Sequence, residues 1–190
     1  MKQKRQQELW TLLEPIVESS GCELVDLELV EGKTPVLRAT VDKPNLPLVQ
    51  GIGVAPGDGV NLDECASISR QMSALLDVED TIKHAFVLEV TSPGVQRPVR
   101  KPEDFAKFEG YPIHVRTEFP LEWDGPDSKR PPSRNFKGTL GPMKENKVVV
   151  VSEDGEEATI PLDAILRAKL DPDMDEWLAL ATKARATKGE

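Results

Sequence analysis

Few side chains in this chain have the chemistry to act on a substrate. His84 and His114 could serve as bases or metal ligands, and Cys22 and Cys65 as nucleophiles. A catalytic set brings a nucleophile, a base and an orienting group within reach of one another; a metal centre gathers three or four ligands. Here the histidines fall in different halves without a nearby Cys or carboxylate ladder, and the cysteines are far apart and form no CxxC. Cys65 lies on the apolar stripe of a helix, where a thiol packs as a small hydrophobe. No catalytic residue, metal ligand or cofactor is expected, and the chain reads as a non-enzyme.

The glycine-rich stretch Gly51-Ile-Gly53-Val-Ala-Pro56-Gly57-Asp-Gly59 has the density of a phosphate loop but not its pattern. Pro56 stands where the dinucleotide fingerprint needs glycine, and Gly59-Val60-Asn61 where the nucleotide loop needs Gly-Lys-Ser/Thr. It reads as a flexible insertion between a strand and a helix.

What remains is binding by charge. The chain has 190 residues and a formal net charge of -9. Residues 1–95 hold 8 Lys+Arg against 15 Asp+Glu, and residues 96–190 hold 16 against 18. An acidic surface repels a polyanion and attracts basic proteins, so the first half is expected to dock on protein. The concentrated basic segment is Lys129-Arg-Pro-Pro-Ser-Arg134, in a stretch from 119 to 134 that also holds Trp123. It is either a solvated loop or, through Lys129, Arg130 and Arg134, a contact to RNA phosphates. No apolar run reaches the ~20 residues of a membrane span. The basic start is not followed by the apolar run of a secretory leader, so a cytoplasmic protein is expected.

These side chains are carried by two different kinds of pattern. From Lys4 to Ser20, Leu9, Leu12, Leu13, Ile16 and Val17 recur at helical spacing, Pro15 interrupts, and Gly21 stands at the C-cap position. Two alternating runs follow, around Glu31-Gly32-Lys33-Thr34. Pairing Val30 with Val36 also pairs Leu29 with Leu37, Leu27 with Ala39 and Val25 with Val41 inward, and Glu28 with Arg38 outward. Asn61-Leu-Asp-Glu64 is a capping box for a helix that ends near Leu76, with Cys65, Ile68, Met72 and Leu75 on its inner side. Ala85–Thr91 alternates again and supplies a third strand. The order αββαβ predicts a sheet covered by two helices on one face, with Asp26 and Glu28 on the other. Ser92-Pro93-Gly94 is a turn, Pro98 keeps the following chain extended, and Arg97 beside it is expected either to staple two domains or to face a partner.

Beyond this joint the pattern shortens. Strands are expected at Ile113–Thr117, Phe136–Leu140, Lys147–Val151 and Ala158–Pro161, then a helical turn and a last strand, Leu166–Leu170, reading together as a small barrel. Asp173-Met-Asp-Glu176 opens a terminal helix with an apolar stripe of Met174, Trp177, Leu178 and Ala181. The expected organisation is therefore α+β. An α/β domain spans 1–94, a linker 95–99, a barrel domain 100–172 and a helical tail 173–190.

Four segments carry a family resemblance: Gly21–Glu28, Val60–Asp80, Leu88–Pro98 and Asp104–Gly110. In this order they resemble the bacterial ribosome maturation factor RimP family, over most of residues 8–170. The stretches 44–59 and 119–134 are longer than that family's connections, and nothing transfers to them. The resemblance implies an SH3-like or Sm-like barrel in the second half. It also implies a role in maturation of the small (30S) ribosomal subunit, with the immature subunit as partner through ribosomal protein S-twelve. Asp26 and Glu28 are the candidate partner-binding residues, with Ser92, Pro93, Gly94 and Arg97 at the joint. The competing expectation is an RNA-binding module whose barrel grips single-stranded rRNA. One Tyr, three Trp and five Phe leave few stacking platforms for it. A monomer is expected.

Overall fold

A computed structural model of the chain describes residues 2–82, 84–124 and 130–188. The chain forms two compact units, one from Met1–Leu46 with Asp58–Gly94, the other from Pro47–Gly57 with Val95–Glu190.

In the first unit α1 (Lys2–Ser19) lays Leu9, Leu13 and Val17 into the core at one helical repeat. Pro15 lies on its exposed side and does not end it, since the one carbonyl it leaves unbonded there can be met by water. Gly21 follows with a φ of 71°, the cap expected of it. Strands β1 (Glu23–Val30) and β2 (Val36–Asp42) pair in the expected register from Val30↔Val36 to Leu27↔Ala39. Nearer the start of β1 the register shifts: Leu24, not Val25, opposes Val41, and Val25 is the extra residue of a bulge. Apolar alternation could not show this, because Leu24 and Val25 are both buried.

After β3 and β4, which belong to the other unit, α2 (Leu62–Glu79) starts at the Asn61 capping box and runs a turn beyond Leu76. It ends at Asp80, a non-glycine residue in left-handed conformation. β5 (Val87–Thr91) lies parallel to β2, giving the order β1-β2-β5. Leu27, Leu37, Ala39 and Val41 from the sheet meet Leu9, Leu13, Val17, Ile68 and Met72 from the helices in one core. Both helices pack against this one side.

The second unit begins with β3 (Leu48–Val49) and β4 (Gly53–Val54), an antiparallel pair in the stretch expected to be a flexible insertion. Leu48 and Val54 pack on the second core, and a Cβ on Gly53 would lie 2.8 Å from Leu170 Cδ1. Two of the glycines that suggested a phosphate loop, Gly51 and Gly53, instead serve this tight hairpin.

α3 (Pro102–Lys107) then sets Phe105 and Phe108 into that core, with the Asp104 carboxylate accepting from the Lys101 backbone N–H at 3.0 Å. Strands β6 (Pro112–Leu121), β7 (Ser133–Lys144), β8 (Lys147–Val151), β9 (Glu157–Pro161) and β10 (Ile165–Leu170) form one antiparallel sheet in the order β10-β6-β7-β8-β9. A 3-10 turn, Leu162–Ala164, precedes β10 as expected. The edge strands β9 and β10 are not hydrogen-bonded to each other, so the expected barrel is not closed. β6 and β7 run farther than expected, pairing as far as Leu121↔Ser133, so the ends of the supposed inserted loop are strand. Register shifts after Arg116 and Leu140 bend these two long strands around their own core. The chain ends in α4 (Met174–Lys188), whose first turn is capped by Asp173 Oδ1 accepting from the Asp175 and Glu176 N–H groups.

Candidate functional site

Each sheet turns one face inward and leaves one face outward, and ladder pairing determines which side chains share it. In the first unit the outward rungs are Asp26–Thr40–Thr91, Glu28–Arg38–Glu89 and Val30–Val36–Val87. Asp26 and Glu28 are half-buried on this face, and Asp26 Oδ1 accepts from the Leu27 N–H at 2.7 Å. Arg38 stands between two glutamates and pairs with Glu89, Nε to Oε2 2.8 Å. Beside this charged rung Val30 and Val87 are 44% and 46% exposed, an apolar rung that water does not favour. Acid edges and an apolar strip therefore lie within neighbouring rungs of one sheet.

Glu89 and the valine rung were not singled out from the sequence. Their alternation was visible, since Val87 and Glu89 fall on the outward phase of β5, but the parallel register that sets them beside Val36 and Arg38 was not.

At the joint, Gly94 has a φ of 60° and its N–H donates to Ser92 Oγ at 3.3 Å. The first unit ends at this glycine. Arg97 is only 2% exposed and lies in the second unit, its guanidinium 6.0 Å from the Phe108 ring centroid, while its carbonyl accepts from the Leu170 N–H. A side chain so covered is not presented on the surface to a partner.

The basic segment is not one patch. Lys129 lies outside the described residues. Arg130 stacks over Trp123 at 4.5 Å and is ion-paired to Asp154 and to Glu156, the latter at 2.9 Å. Trp123 in turn is buried and packs on Phe136, so Arg130 serves as the lid of a small hydrophobic cluster. Hydrogen bonding from Ser152, and then from Arg130, holds the Asp154 carboxyl below its usual range. Arg134 alone of the segment's described cations is exposed without such a cluster.

The cationic surface lies elsewhere, on the outward side of β10-β6-β7. One rung there is Lys169–His114–Lys137 and the next Arg167–Arg116–Asn135. Near-balanced charge in the second half concealed it. The signal was phase: residues 114 and 116, 135 and 137, and 167 and 169 all alternate with buried neighbours.

The two cysteines are free and buried in the first unit, and burial pushes both thiols above their ordinary range. A thiol held protonated packs rather than attacks. His84 is exposed on a bend, whereas His114 Nε2 is buried with no hydrogen-bond partner among the described residues. Among the described residues no group of three or more His, Cys, Asp or Glu could hold a metal ion, and no helix is long and apolar enough to cross a membrane.

The architecture so far is a two-layer αββαβ domain with an open sheet face, followed by a unit built on a bent antiparallel sheet. Residues 12–96 match the family model of the RimP N-terminal domain, which bears out the RimP family assignment drawn from the motifs. The family is one of ribosome maturation factors, and its role in ribosome biogenesis extends to this chain.

Proposed function

We propose that this chain aids maturation of the small (30S) ribosomal subunit by binding the immature subunit through a basic ribosomal protein, and that it does so without catalysis. The partner implied by the family resemblance is ribosomal protein S-twelve, met in the cytoplasm. The observation that carries this reading is the outward face of the first sheet. Asp26, Glu28 and Glu89 surround one arginine, with the exposed Val30–Val36–Val87 rung alongside. A protein interface needs an apolar centre with a polar, charge-matched surround, and a basic protein fits these three rungs better than a polyanion does. Complementary charge of this kind raises the rate of encounter more than the final affinity.

The test is the association rate with purified S-twelve at low salt. Reversing both acids, Asp26→Lys with Glu28→Lys, should slow association about tenfold and leave dissociation nearly unchanged. Equal association rates for parent and variant would remove these residues from the interface.

A further inference from the structure

We infer that the outward face of β10-β6-β7 is a second binding face, one that grips the phosphate backbone of base-paired RNA. Two neighbouring rungs place Arg167 and Arg116 side by side with Asn135, and Lys169 and Lys137 on either side of His114. Neighbouring strands are about 4.8 Å apart and outward residues on one strand about 6.7 Å apart. Four cations therefore occupy a patch the size of a few phosphates. Arg116, Lys137 and Arg167 are exposed and Lys169 half-exposed.

The neighbouring groups leave the sign of this face unchanged. Lys137 Nζ pairs with Asp171 at 3.0 Å, Lys169 Nζ donates to the neutral Gln96 Oε1 at 2.7 Å, and Glu118 follows on β6 past Arg116. On the same sheet the outward residues of β8 and β9 are Lys147, Val149, Val151, Glu157, Thr159 and Pro161, so apart from Lys147 at the end of β8 the cations gather on three strands.

The chemistry of the patch selects the ligand. Apart from His114, which is half-buried with its Nε2 covered, the rungs carry no apolar or aromatic side chain, so they lack the dry centre of a protein interface and offer little of the stacking platform that unpaired bases require. Two arginines side by side suit phosphate, which accepts the planar fork of each at two oxygens. Base-paired RNA offers phosphates and 2′-hydroxyls on its outside and is bound largely without reading sequence. Phe119 and Leu166, 49% and 59% exposed, lie on β6 and β10 beyond these rungs, which makes an anionic lipid surface the competing ligand to be tested. That the RNA is ribosomal rests on the proposed function; that the face binds RNA does not.

The experiment measures binding of the full chain to a short RNA duplex of mixed sequence over a series of KCl concentrations, with no ribosomal protein present. The parent should bind weakly, with affinity falling steeply as salt rises. Arg116→Ala with Arg167→Ala should reduce the slope of log affinity against log salt by about one to two units, while Arg116→Lys with Arg167→Lys should hold it near the parent value. Arg130→Gln should leave the slope unchanged, as should Asp26→Asn with Glu28→Gln, which separates this face from the one proposed for S-twelve. The inference is overturned if the parent ignores the duplex at low salt or if the alanine pair keeps the parent slope. It is equally overturned if phosphatidylglycerol vesicles or polyglutamate, at matched charge, compete as well as RNA does.

Discussion

The two sheets use one device to opposite ends. In the first unit two helices cover one side of three strands, and the uncovered side carries acids next to an exposed valine rung. In the second, five strands bend around their own core, and part of the outward side carries lysine and arginine. A strand shows alternate residues to each side, so a buried inner face leaves the outer one nearly unconstrained by folding. Binding character was written into these outer positions at little cost to stability. Net charge per half is thus a poor guide: the second half is close to neutral overall, yet three of its strands collect cations.

Loss of one sheet would have the largest effect. A side chain at Gly138 would place its Cβ 2.0 Å from the Val151 carbonyl oxygen, inside the β7-β8 pair. Gly138→Val should therefore destabilise the second unit by roughly 3 kcal/mol or more, seen as a lowered melting temperature with loss of RNA-duplex binding. A variant melting with the parent would mean that the ladder yields there.

A gentler change sharpens the contrast between the outer faces. Val30→Asn with Val87→Asn should weaken S-twelve binding about tenfold by removing apolar burial, without altering its salt dependence. The same pair should leave duplex binding untouched, and a loss there would show that the two faces do not act separately.

Smaller still is the cap of α2. The Asn61 side chain accepts from the Glu64 N–H, and Asn61→Ala should cost about 1 kcal/mol in denaturant unfolding. The reciprocal Glu64 carboxylate accepts from the Asn61 N–H at 2.9 Å and from Lys43, and these two bonds hold its pKa below the usual carboxylate range. A lowered folded pKa contributes stability that is present above the unfolded value, about 4.3, and is lost as pH falls through the folded one. Glu64→Gln should flatten that part of the acid limb, a small effect at a surface site, read from denaturant midpoints between neutral and acid pH.

Much of the fold was legible because local rules carried it. The Asn61–Glu64 box, the Gly21 cap and the register from Val30↔Val36 to Leu27↔Ala39 each follow from a few adjacent residues. The bulge at Val25 was not, because two consecutive apolar residues fit either register. Nor was the β3-β4 hairpin, where Gly53 is explained by its approach to Leu170, more than a hundred residues away in the chain. Of the candidate site, Asp26 and Glu28 lie on the outward face as their alternation required. The basic run at 129–134 misled, since Arg130 is engaged by acids from the β8-β9 connection that are distant in sequence.

Short-range spacing and motifs in the sequence were enough for the two long helices, the inner phase of the longer strands and the family, since none of these needs a third dimension. Which outward residues become neighbours depends on the packed fold. Cross-strand partners, above all in the parallel β2-β5 pair and the β10-β6 pair, are chosen by packing between segments far apart in the chain. A charge acts on a partner through the company it keeps in space.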